Sequence, residues 1–163
     1  MSWLFERLRK HKENRGMMAN LRCVLVDNKK HRAWPVLNRL GVAINNDVSA
    51  FVAGLFATHP EETSTGNFGT TCKNIEQRRD NQRTDEAKLT PTERRFQHLL
   101  SAEPGEEMQG RILRMVFMAK TQGIPVNYEK LETDLRFWND RTKTDWAAAF
   151  WSPGASPDTE EAI

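Results

Sequence analysis

The side chains in this sequence with the most chemistry to offer are basic. Arg94 and Arg95 stand side by side, and Arg111 and Arg114 follow three residues apart. In a helix, residues three apart share one stripe, so Arg111 and Arg114 present together. Lys29, Lys30 and Arg32 form a run around His31, and Lys73, Arg78 and Arg79 crowd a second segment with Arg83 close behind. Cations gathered on helical surfaces can hold a phosphate backbone without reading bases, with affinity that falls steeply with salt. The plainer account is that they are solvated or paired with nearby acids, as most surface arginines are. The sequence contains no base-reading helix and no aromatic RNA-binding motif, which argues against sequence-specific recognition.

Other chemistries fare worse. There is no Gly-rich phosphate loop, no HExxH and no GxSxG. His11, His31, His59 and His98 fall in separate elements, and no pair has ligand spacing. Glu106 and Glu107 are adjacent, so on a helix they diverge by about 100° and share no substrate; a helix N-terminus accounts for them better. Cys23 and Cys72 match no metal or redox spacing and read as reduced, buried thiols. Neither a metal nor a cofactor is expected, and the pattern argues against an enzyme.

The elements that must carry these bases are helices. Trp3, Leu4 and Leu8 recur at helical spacing, predicting a first helix to about Glu13 that ends at Asn14–Arg15–Gly16. Met17, Met18, Leu21, Val24 and Leu25 build a second, with Arg22 off its apolar stripe and Asp27–Asn28 as its break. A third carries Trp34, Leu37 and Leu40, with Pro35 in its first turn and Gly41 at its end. Asn46–Asp47 caps a fourth that buries Val48, Phe51, Val52, Leu55 and Phe56. THPEETSTGNFGTT is rich in turn-formers, and a short polar helix from about Cys72 to Arg79 follows. DNQRTDEAK then reads as a linker.

Thr90–Pro91–Thr92–Glu93 is a capping box with proline at the first helical position, opening a helix that buries Phe96, Leu99 and Leu100. The next helix buries Met108, Ile112, Leu113, Val116 and Phe117 and stops before Gly123 and Pro125. Asn127 caps a seam of Tyr128, Leu131, Leu135 and Trp138, and a last helix after Asn139–Asp140 carries Trp146, Phe150 and Trp151. No segment alternates as a half-buried strand does. The expectation is an all-α fold of about eight helices and no sheet, in two small bundle-like lobes. Residues 1–84 make an N-terminal lobe with its polar linker, 85–152 a C-terminal lobe, and 153–163 an acidic, disordered tail.

Composition agrees with this outline. The 163 residues are 38% hydrophobic and 28% charged, enough to bury a core without disulfides or metal. No apolar run approaches the roughly 18–20 residues that span a bilayer, and MSWLFERLRKHK threads charge through its apolar residues unlike a signal peptide. A cytoplasmic protein without a membrane partner is the expectation. The net charge of +2 conceals a bias: the tail holds Asp158, Glu160 and Glu161 and no base, and without those three acids 24 basic residues face 19 acidic ones.

The order of these elements resembles the CasB family, the small subunits of the type I-E CRISPR Cascade surveillance complex. ERRFQHLL, an acidic turn, an arginine-bearing helix, then LxxDLRFWN with a basic pair and a final aromatic helix carry the resemblance. ANLRCVL, HRAWPVLNRLG and GNFGTTCKNI extend it into the N-terminal half. It implies a non-catalytic helical protein present as two copies beside the crRNA-bound backbone and large subunits. There it holds the target DNA strand and the displaced non-target strand of an R-loop, while guide pairing supplies specificity. Arg94 and Arg95 match the family's paired bases, Arg22 an arginine of the second helix, and Arg141 and Lys143 the bases after the Trp. Arg111 and Arg114 lie in the arginine-bearing helix. Ser101, Pro104 and Thr70 stand where relatives carry bases, and the Lys29–Arg32 run can compensate. The contrasting function is a helical adaptor whose arginines bind acidic protein surfaces and touch no nucleic acid.

Overall fold

The computed structural model describes residues 3–78 and 88–153. Its helices are α1 (Trp3–His11), α2 (Arg15–Arg22), α3 (Trp34–Leu40), α4 (Asp47–Thr58) and α5 (Phe68–Arg78), then α6 (Pro91–Ser101), α7 (Glu106–Gln122), α8 (Tyr128–Arg136) and α9 (Asp140–Phe150). Two 3-10 turns, Cys23–Leu25 and Asp27–Arg32, join α2 to α3. The fold is all-α, as the periodicity predicts. Among the described residues the one piece of strand-like pairing is a single parallel bridge between Glu62 and Val126. Arg79, Arg83, most of the linker and the acids of the tail lie outside the described residues.

Helix starts follow local chemistry. Thr90 accepts from the Glu93 amide while Glu93 Oε1 accepts from the Thr90 amide, so the capping box closes. Asn46, Asn127 and Asn139 each accept a hydrogen bond from the amide three residues on. Asn14 does the same for Met17, which makes it the start of α2 rather than the end of α1, and Arg15 and Gly16 belong to the first turn of α2. The helix α5 begins at Phe68, four residues before the expected Cys72. There Asn67 and Thr70 exchange side-chain and amide hydrogen bonds, a cap hidden among turn-forming residues.

The centre is α4, buried on every side from Ser49 to Thr58. Its sequence, DVSAFVAGLFAT, has no strongly polar face, so it packs all round. It meets α2 on one flank and α8 and α7 on others, while α5 meets α9, α7 and α6. The α5–α9 contact is close enough to be backbone-limited: a Cβ on Gly69 would lie 2.1 Å from the Trp146 carbonyl oxygen. Trp146 is fully buried there, packed on Phe68, with its indole N–H donating to Asp134 Oδ2 at 2.8 Å. The stretch around residues 59–67, the least structured by sequence, is held by side chains. His59 Nε2 donates to the Ile124 carbonyl at 2.6 Å, Tyr128 OH donates to the His59 carbonyl at 2.6 Å, and Asn127 Nδ2 donates to the Gly66 carbonyl. Burial pushes the Tyr128 hydroxyl and the Cys72 thiol well above their ordinary pKa ranges, with Glu62 and Glu61 adding to the shift at Tyr128.

Four aromatic residues on the predicted apolar stripes are not in the core. Trp3 is 39% exposed, Trp34 43%, Phe117 48% and Trp151 39%. Val36, Met115 and Ala119 take the buried places on α3 and α7. Cys72 is buried as expected, whereas Cys23 is only half-buried, its thiol reaching the Ala19 carbonyl.

Candidate nucleic-acid interface

The bases predicted to meet a strand fall into two structural neighbourhoods. In the first, α6 and α7 pack on each other and both pack on α5. With Phe96 and Leu99 buried, Arg94 and Arg95 are left exposed on α6. Arg94 Nη2 donates to the Leu89 carbonyl at 3.3 Å, at the entry to its own helix. Arg95 makes no hydrogen bond or ion pair with any described residue, and neither does the exposed Arg114 on α7. Arg111 is half-buried; its Nε lies 3.8 Å from Glu107 Oε2, beyond hydrogen-bond range, and has no other partner. On α5, Lys73 reaches the Ser152 carbonyl at 3.4 Å and Arg78 the Gln122 carbonyl at 3.1 Å. Arg141 and Lys143 ride the start of α9, itself packed on α5. Arg141 is highly exposed and only loosely paired with Asp145 at 3.4 Å.

The second neighbourhood is more committed. Arg22 Nη1 donates to the Ala57 carbonyl at 3.0 Å, satisfying one of the open carbonyls at the end of α4. Lys29, Lys30 and Arg32 lie on the second 3-10 turn, which packs on α3. Lys30 pairs with Asp27 at 3.3 Å; Lys29 and Arg32 are exposed and pair with no described residue.

Two further arginines, both on α1, hold the fold. Arg7 Nη1 donates to the Leu40 carbonyl at 2.8 Å, with its guanidinium 5.2 Å from the Trp3 ring centre. Arg9 grips Glu62 through two hydrogen bonds and Glu129 through a third, which raises its pKa further, the Glu62 bonds contributing most. Nothing local in the sequence announces these contacts, because the partners are remote.

Among the described residues no group of three His, Cys, Asp or Glu side chains is placed to hold a metal ion. No described helix is long and apolar enough to cross a membrane.

A family model for the CRISPR-associated protein Cse2 matches residues 17–151, well over half of the chain. The chain belongs to the Cse2 family. The crystal structure of CasB from Thermus thermophilus superposes with a TM-score of 0.69 over 92% of this chain and 94% of that one, at 18% identity. At that identity the likeness speaks for the fold. No curated protein sequence matches at a significant level. Membership of the Cse2 family makes this chain a CRISPR-associated subunit of the Cascade type. The matched segment contains every candidate strand-binding base from Arg22 to Lys143, and leaves α1 outside it.

Proposed function

We propose that this Cse2-family chain is a type I-E Cascade small subunit that stabilises the R-loop by gripping nucleic-acid backbone through the α5–α6–α7 face. The observation that carries this reading is the state of Arg95 and Arg114: exposed, uncommitted, and on two helices packed side by side. A free guanidinium keeps all its donors available for phosphate oxygens. Arg94, Arg111 and Lys73 stand on the same three packed helices, each with a single weak contact. Arg141 and Lys143 continue it onto α9, and Lys29 and Arg32 offer a second patch. The partners are the crRNA-bound backbone and large subunits, a second copy of the chain, the target strand and the displaced strand, in the cytoplasm. Guide pairing specifies the sequence, so a surface blind to bases suits the task. Phosphate contacts to the displaced strand oppose its re-annealing and shift the balance toward the open state.

Charge reversal at Arg94, Arg95 and Arg114 tests the proposal. Strand binding and R-loop formation should weaken about tenfold or more at moderate salt, with assembly and fold intact. Unchanged target binding would overturn it. Loss of assembly with unchanged strand affinity would instead favour the adaptor function.

A further inference from the structure

A groove of about 430 Å³ runs between the two 3-10 turns, α3, the start of α4 and the N-terminal half of α7. Val24, Leu25, Phe51 and Leu113 lie in its apolar wall, and Trp34 and Ile44 stand at its edge, 43% and 49% exposed. These are neighbours around one depression rather than scattered surface residues, which marks a contact surface. Its charge is opposite to that of the chain. Asp27, Asp47 and Glu106 line it against a single base, Lys30, which is already paired with Asp27, whereas the whole protein carries +2.

Gly110 supplies an independent observation. It lies inside the 17-residue helix α7 with ordinary helical backbone, where glycine weakens a helix relative to alanine. A Cβ placed on it would meet nothing within 4 Å, so no packing within the fold requires its absence. Gly105 also opens on empty space, but its φ of +112° explains the glycine there. Gly110 has no such reason, and its bare backbone leaves the groove wall open.

We infer that this groove receives a segment of a partner protein bearing an apolar anchor flanked by Arg or Lys. The apolar wall and the Trp34 edge take the anchor, and Asp47 and Glu106 take the basic flank. A nucleic-acid strand is disfavoured by the same acids. The inference goes beyond the strand-binding proposal and uses none of its arginines.

The test uses the full chain in a reconstituted crRNA-containing complex. A photo-crosslinking benzoylphenylalanine at Ile44 should link to another subunit, at a segment with an aliphatic or aromatic residue within two positions of Arg or Lys. Gly110→Leu should keep or raise the melting temperature yet cut the chain's affinity for the rest of the complex about tenfold. Asp47→Asn with Glu106→Gln should weaken that affinity severalfold and flatten its salt dependence. Crosslinks to nucleic acid, to a second copy or to a segment without bases, no crosslink at all, failure to join any protein subunit, or full retention of Gly110→Leu would each overturn the inference. Because Arg94, Arg95 and Arg114 are untouched in these variants, oligonucleotide binding by the isolated chain reports separately on the strand-binding proposal.

Discussion

The arginines of α1 and α2 and those of α6 and α7 are the same residue type put to opposite uses. Arg7, Arg9 and Arg22 each reach across to a different element: the Leu40 carbonyl, the Glu62 and Glu129 carboxylates, and the Ala57 carbonyl. Arg95 and Arg114 reach no described residue. A guanidinium that holds a carbonyl or carboxylate of another element must share or give up that contact to take phosphate. One whose donors face solvent loses little by taking it. Partnering separates strand-binding candidates from staples better than exposure does, since Arg22 is exposed and still committed.

The strongest way to break this contrast is to reverse the free pair. Arg95→Glu with Arg114→Glu should lower single-strand affinity about tenfold or more near 0.1 M salt and reduce the slope of log affinity against log salt by about 0.7 per lost phosphate contact. The melting temperature should fall by no more than about 2–4 °C, because each surface change away from partners typically costs under about 0.5 kcal/mol. A larger fall would show that these arginines are staples too.

Arg7→Met should do the reverse. It removes a charge-assisted bond to the end of α3 and the contact with Trp3, costing about 1.5–3 kcal/mol, or roughly 3–12 °C in melting temperature, with strand affinity unchanged. Arg22→Gln sharpens the boundary between the groups. The expected result is about 1 kcal/mol of lost stability in chemical denaturation and less than a twofold change in strand affinity. A large affinity loss without destabilisation would return Arg22 to the strand-binding group. Arg9→Gln should cost less, about 0.5–1 kcal/mol, because the pairs with Glu62 and Glu129 are partly exposed, and the loss should shrink in high salt.

The smallest effect concerns pH. Below about pH 8.5 the Cys72 thiol is protonated in both states and contributes no pH dependence. Above it the unfolded chain releases a proton that the buried thiol retains, so stability falls by up to about 1.4 kcal/mol per pH unit until the raised pKa is reached. Tyr128 adds the same sign above about pH 10. Cys72→Ala should remove the first part of the slope in denaturant titrations. Strand affinity should not follow it, since Cys72 is fully buried whereas Arg95 and Arg114 are exposed on other helices.

Much of the fold is legible in the sequence wherever it depends on neighbours along the chain. The capping box at Thr90 and Glu93, the asparagine caps at 46, 127 and 139, and the stop at Gly123 involve residues within about four positions of each other. Periodicity places Phe96, Leu99, Ile112 and Leu131 in the core correctly. It misplaces Trp3, Trp34, Phe117 and Trp151, because a stripe identifies a helix face without saying how far the neighbouring element extends over it. The start of α5 was hidden for a related reason: Asn67 and Thr70 look like loop residues until Gly69 is seen against the Trp146 backbone.

For the candidate site, the sequence by itself determined the all-α class, the helices that carry bases and the family to which the chain belongs. The tertiary structure alone decided which of those bases remain available. Arg7 finds its partner 33 residues away, Arg22 35 residues away, and Arg9 reaches Glu129 across 120 residues. Helix signals act within a turn or two. The fate of a guanidinium depends on which carbonyls and carboxylates the packed helices bring to it, and no local pattern encodes that.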